Sequence, residues 1–184
     1  MQKFNILKTI IFTAASVAIS CALAVLCVLK FGFNLNAGII LLIFINLTLI
    51  SFSDITRQII PDWLIIILAA LSIIQAFLFR DVTILERIIG FFVLSIPMLT
   101  LTYFIEDSFG GGDIKLIAVC GLLLGFKLVL LSGIIAILLG GFHGFVIKYI
   151  LKKKDEHFPF GQHICLGVFI STLFGSEIIQ WYLG

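Results

Sequence analysis

The sequence predicts an all-α membrane protein, a bundle of about seven transmembrane helices, or six if one short segment does not cross. Three observations predict it. Hydrophobic residues fill 61% of the 184 positions and charged residues 12%, against about 45–50% and about 25% in soluble domains. An excess that large does not fit in one soluble core and needs lipid as its solvent. The apolar residues also fall into seven runs, most of them matching the ~17–25 residues that cross a bilayer. Finally, the basic residues divide unevenly between the two sides that these runs define.

The first run, 9–29, follows Lys3 and Lys8. It outlasts the ~7–15 apolar residues of a secretory signal, and no A-x-A site follows, so it reads as a retained span added to a core over 37–182. The chain, 1–184, reads as one membrane-embedded domain. The second run, 37–53, stops at Asp54. Pro61 and Asp62 open the third, 63–79; proline suits a first helical position, and a carboxylate there faces the positive end of the helix. The fourth, 87–105, ends in Glu106 and Asp107. Gly110, Gly111, Gly112 and Asp113 lead into the fifth, 114–126. At ~1.5 Å per residue it covers about 20 Å of a ~30 Å hydrocarbon core, so either it is a half-span or the bilayer thins around it. The sixth, 128–150, runs into Lys152, Lys153 and Lys154, a cluster that marks topology and meets anionic headgroups. The seventh is 163–182.

Charge decides the orientation. With all seven runs crossing and the N-terminus cytoplasmic, the inside holds Lys3, Lys8, Arg57, Lys115, Lys148, Lys152, Lys153 and Lys154. The outside holds Lys30, Arg80, Arg87 and Lys127. That is the bias the positive-inside rule requires in a cytoplasmic (inner) membrane. The connections after the second and fourth runs then share the cytoplasmic side, and with them Asp54 and Asp113. The net charge of +2 leaves no nucleic-acid footprint. Cys21, Cys27, Cys120 and Cys165 lie in or beside apolar runs, with no C-x-x-C pair; they read as inert buried thiols, with no metal and no cofactor expected.

Asp54 does not read as a helix-start residue, because it closes a helix at the negative end of the dipole. It is a solvated interfacial carboxylate or a functional one. Asp113 opens a helix favourably, but one glycine would serve for the bend and here there are three. Glycines admit close approach by another part of the chain. Two carboxylates ~3 Å apart share a proton. The ionised one takes a proton from water, and the neutral one polarises a carbonyl and protonates the leaving amine. That is the chemistry of an aspartic peptide-bond hydrolase.

The stretch "GGGDIKL" (110–116) resembles the G-x-G-D-x-K-L signature of the type IV prepilin peptidase and preflagellin peptidase family, intramembrane aspartic proteases. "SDITRQIIPDWL" is similar to that family's other motif, an Asp followed seven residues later by Pro and Asn or Asp. "FPFGQHICLG" (158–167) resembles its late P-F-G-P-F segment, with Gln162 and His163 in place of Pro-Phe. The resemblance implies Asp54 and Asp113 as catalytic pair, with Gly110 and Gly112 as motif glycines. It also implies cleavage of the basic leader of prepilin or pseudopilin precursors, after a glycine, at the cytoplasmic face. The four-cysteine insertion tied to N-methylation in many members has no counterpart here, so the resemblance is to the short form without methyltransferase activity.

Other residues keep two readings. Lys115 either tunes Asp113 or snorkels to the interface. Glu106 and Asp107 are solvated or attract a basic substrate. His143, among glycines in the sixth run, is a proton relay or a packed core residue. A proton- or ion-coupled transporter using the same acids is the alternative function. It lacks the internal repeat and mid-membrane ionisable groups that relays use.

Overall fold

A computed structural model describes residues 34–79, 82–105, 108–145 and 160–183, with isolated positions at 22, 25, 26, 30 and 32. The expected first span, Glu106, Asp107 and Lys152–Lys154 fall outside the described residues, apart from those isolated positions. Five helices carry the rest: α1 (Leu35–Arg57), α2 (Asp62–Leu78), α3 (Ile84–Phe104), α4 (Gly111–Phe145) and α5 (Gly161–Leu183). Among the described residues there is no strand. Four of the helices are long and apolar enough to cross a bilayer, and α2, with 17 residues, is shorter. The chain is a multi-pass, all-α membrane protein.

The helix ends follow local rules. Asn34 caps α1 by accepting from the Ala37 N–H at 2.9 Å. Gln58, at φ 54, closes it in the left-handed region, its N–H returning to the Asp54 carbonyl. Asp62 sits in the first turn of α2 behind Pro61. Thr83 and Glu86 form a reciprocal capping box at the start of α3, which satisfies two otherwise orphaned donors.

Helix α4 breaks at Gly125, whose φ of 76 and ψ of 177 are not helical. The packing shows that the chain reverses there. Along α3, Leu99 shares a groove with Ile114, Gly90 touches Gly121, and Glu86 touches Gly125. Past the break, Gly133 is back beside Leu94. The two limbs of α4 are therefore antiparallel, joined by one glycine instead of a loop. The expected fifth and sixth runs correspond to these limbs, with the division at Gly125 rather than at Lys127. A Cβ on Gly121 would stand 2.0 Å from the Gly90 carbonyl oxygen, so α3 and the first limb meet backbone to backbone, as small residues allow in membranes.

Reversal leaves the last carbonyls of the first limb without helical partners. Arg87 supplies them: its Nη1 donates to Leu122 O at 2.9 Å and Leu123 O at 2.8 Å, and the side chain is 3% exposed. Arg87, counted from the sequence among the outer basic residues, is thus turned into the protein. Its position beside an apolar helix start hides that it faces protein.

Helix α1 buries an apolar stripe of Ile39, Ile43, Phe44, Leu47 and Ile50, with Phe44 edge-on to Phe169 of α5 at 4.9 Å. Helix α3 is the inverse. It buries Arg87, Gly90 and Ser95 and exposes Phe92, Ile96, Leu99 and Phe104. A helix that hides its polar residues and displays its apolar ones has hydrocarbon for solvent.

Candidate active site

The start of α5 lies antiparallel to the second limb of α4, since Gly175 packs on Leu128 and Gly167 on Ser132. This brings the first turn of α5 to the end of the bundle where α1 finishes and α4 begins. Asp54, in the last turns of α1, and Asp113, in the first turn of α4, converge there. A Cβ on Gly161 would stand 2.9 Å from Asp54 Oδ2, 3.0 Å from Asp113 Oδ1 and 2.8 Å from Ile60 Cδ1. The two carboxylate oxygens therefore lie within about 6 Å of each other, inside the range over which like charges act on one another. A side chain at position 161 would fill the space between them.

The two acids are held differently. Asp54 is 5% exposed, and its Oδ2 accepts the Gln162 backbone N–H at 3.0 Å. Asp113 has the N-terminal turn of a helix behind it, the favourable end for a carboxylate. Its Oδ1 is shielded from solvent and meets no hydrogen-bond donor among the described residues. A buried acceptor left in that state costs about 1–3 kcal/mol, which a shared proton, water or substrate group in the gap would relieve.

The three glycines before Asp113 are not equivalent. A Cβ on Gly112 would stand 3.0 Å from Ile60 Cβ, and one on Gly110 would stand 3.2 Å from Asp113 Oδ2, whereas Gly111 has nothing within 4 Å. Gly110 also accepts the Asp113 N–H at 3.0 Å. Phe109 and Phe160 meet with ring centroids 5.4 Å apart, clipping the glycine segment to the segment before α5. Lys115 makes an ion pair with Asp62 at 2.8 Å, which links the starts of α4 and α2. His143 lies at this same end, its Nδ1 3.1 Å from His163 Nε2 and 3.5 Å from Gln162 Nε2.

Gly161 and the Gln162 amide were not singled out from sequence. Gly161 could have been, as the glycine of the late motif; a backbone N–H leaves no mark in a sequence. Cys120 and Cys165 are buried free thiols. Among the described residues no group of His, Cys, Asp and Glu is arranged to hold a metal ion.

Comparison with known proteins adds the following. Residues 41–145 match the type IV leader peptidase family. The chain is 29% identical over 161 residues to a prepilin leader peptidase/N-methyltransferase of Legionella pneumophila, covering 84% of this chain and 56% of that protein. It is 29% identical over 160 residues to the protein of that description in Pseudomonas aeruginosa, covering 83% and 55%. Against the Bacillus subtilis protein it is 28% identical over 178 residues, covering 94% and 69%. The chain thus spans little more than half the length of the first two. No solved structure gives a significant match.

Proposed function

Because the chain belongs to the type IV leader peptidase family, we propose that it is an intramembrane aspartic endopeptidase with Asp54 and Asp113 as its catalytic pair. The observation that carries the reading is the convergence of the two carboxylates on the space left by Gly161. The two acids hold one proton between them. The ionised acid, as general base, draws a proton from a water seated in the gap, and the hydroxide attacks the scissile carbonyl. The protonated acid donates to that carbonyl oxygen. The tetrahedral intermediate then collapses, and the leaving amine takes a proton from the pair. The shielded Oδ1 of Asp113, without a donor of its own among the described residues, suits the role of a group that gains its partner from substrate or water.

The substrates we infer are prepilin-like or pseudopilin precursors, cut after a glycine that ends a basic leader. The membrane is the cytoplasmic one, with the pair facing the cytoplasm, as the distribution of basic residues requires. Our reading covers proteolysis without N-methylation, since the four cysteines lie in or beside apolar runs and include no C-x-x-C pair.

The test is purified protein in proteoliposomes with a precursor bearing such a leader, cleavage being read by mass spectrometry. Asp54→Asn and Asp113→Asn should each abolish cleavage while inserting normally. Cleavage that survives in both variants sinks the peptidase reading, and ion flux lost in the same variants would put the transporter in its place. Addition of S-adenosylmethionine should leave the mass of the trimmed product unchanged.

A further inference from the structure

We propose that His143 and His163 form a latch that holds the first turn of α5 against Asp54, making both histidines positioning residues for the acid pair. The inference rests on the peptidase reading. Its geometry comes from residues to which that reading gives no role.

Gln162 faces both ways. Its backbone N–H donates to Asp54 Oδ2 at 3.0 Å, and its side-chain Nε2 lies 3.5 Å from His143 Nδ1. His163 Nε2 reaches that same Nδ1 at 3.1 Å. His143 Nδ1 is thus the atom on which the Gln162 side chain and the His163 ring converge. His143 belongs to the second limb of α4, and Gln162 and His163 to α5. The contact therefore crosses between elements, at the turn whose main chain meets Asp54. His163 is 4% exposed, and its ring also stacks on Phe160, centroids 6.4 Å apart; Phe160 in turn meets Phe109 ahead of the glycines. The two positions where this chain departs from the late motif, Gln162 and His163, are the two that engage His143.

If the pair positions α5, losing it moves the Gln162 amide relative to Asp54, and displacements near 1 Å can cost about 10²-fold in rate. His143→Leu and His163→Leu should each lower kcat by roughly 10–10²-fold with KM little changed. The double variant should be no slower than the worse single one, because both remove one contact. His143→Asn and His163→Gln each keep a group that can donate or accept at the contact. Both should restore most of the rate, and neither side chain can relay a proton as imidazole does. Leucine variants at the parental rate, or losses that multiply in the double variant, would overturn the latch. So would Asn and Gln variants as slow as the leucines, since that outcome assigns the rings proton transfer. The fraction inserted and folded is measured for each variant, and the Asn and Gln forms keep the test decisive where a leucine form fails to fold. Asp54→Asn and Asp113→Asn are run alongside: if both still cleave, the peptidase reading fails; if they are dead while the leucine variants are normal, only the latch fails.

Discussion

The two ends of the bundle bury charge to opposite effect. At one, Arg87 is enclosed and donates to two carbonyls at 2.8 and 2.9 Å, closing the reversal of α4. At the other, Asp54 and Asp113 are drawn together with an oxygen of Asp113 left without a donor among the described residues. Both sets are costly to hold in or near a membrane. The Arg87 guanidinium meets carbonyls that the reversal itself frees, and so ties the fold together there. The two acids are brought up to their own like, which in the proposed reading suits a proton or substrate that arrives later. What a buried charge meets, main-chain carbonyls at one end and its own like at the other, is what we take to separate the structural end from the one proposed to be reactive.

The largest test of that contrast is at the acids. Asp54→Asn or Asp113→Asn should reduce leader cleavage by at least the roughly 10²–10⁴-fold that general acid–base catalysis supplies, with the melting temperature in detergent unchanged or raised. The parent should show a bell-shaped pH–rate profile whose two apparent values belong to the pair and not to either residue. Gly161→Ala comes next. Its Cβ would enter the space between the carboxylates and press Ile60 Cδ1. A loss of about 10²-fold in kcat is expected from the displacement, with the protein still inserted; a normal rate would mean the gap is not where the reaction occurs.

At the other end the sign of the expected result reverses. Arg87→Met should destabilise by about 1–3 kcal/mol for each carbonyl left bare, read by denaturation in detergent, while cleavage per folded molecule stays at the parental level. A variant that folds normally but no longer cleaves would erase the distinction. The glycines give a finer comparison. Gly112→Ala must displace Ile60 Cβ, 3.0 Å away, whereas Gly111→Ala meets nothing within 4 Å. The first should slow cleavage measurably and the second should not. The smallest effect is expected from Asp62→Asn. It breaks an exposed pair with Lys115 worth no more than about 1 kcal/mol, and should shift stability within that limit.

What the sequence revealed of this contrast was lopsided. The five described helices were visible, because an apolar run of spanning length is stable only as a helix in lipid or in a core built of such helices. Asp54 and Asp113 stood out because an acid closing an apolar run and a glycine triplet opening another are each unusual. Their meeting was beyond the sequence, which permits but does not place contacts between residues 54 and 113. Arg87 was counted from the sequence among the outer basic residues; its burial was not legible there, since the carbonyls it serves are freed only by the break at Gly125. Lys115 lies two residues from Asp113, and that nearness along the chain concealed its partner, Asp62. The His143–His163 contact joins separate elements, and neither histidine shows its partner by spacing.

The Gln162 amide has a consequence for how chains of this family are scanned. Because the donor to Asp54 belongs to the main chain, replacing Gln162 by alanine leaves it intact, and a survey built on side-chain truncation would pass over it. Proline is the substitution that deletes it, and the first turn of a helix tolerates proline. The late motif has proline in this place, so a chain that keeps the motif would grip its first aspartate with one main-chain donor fewer. The ionisation balance of the two acids would then differ between such chains and this one, even with both aspartates in place.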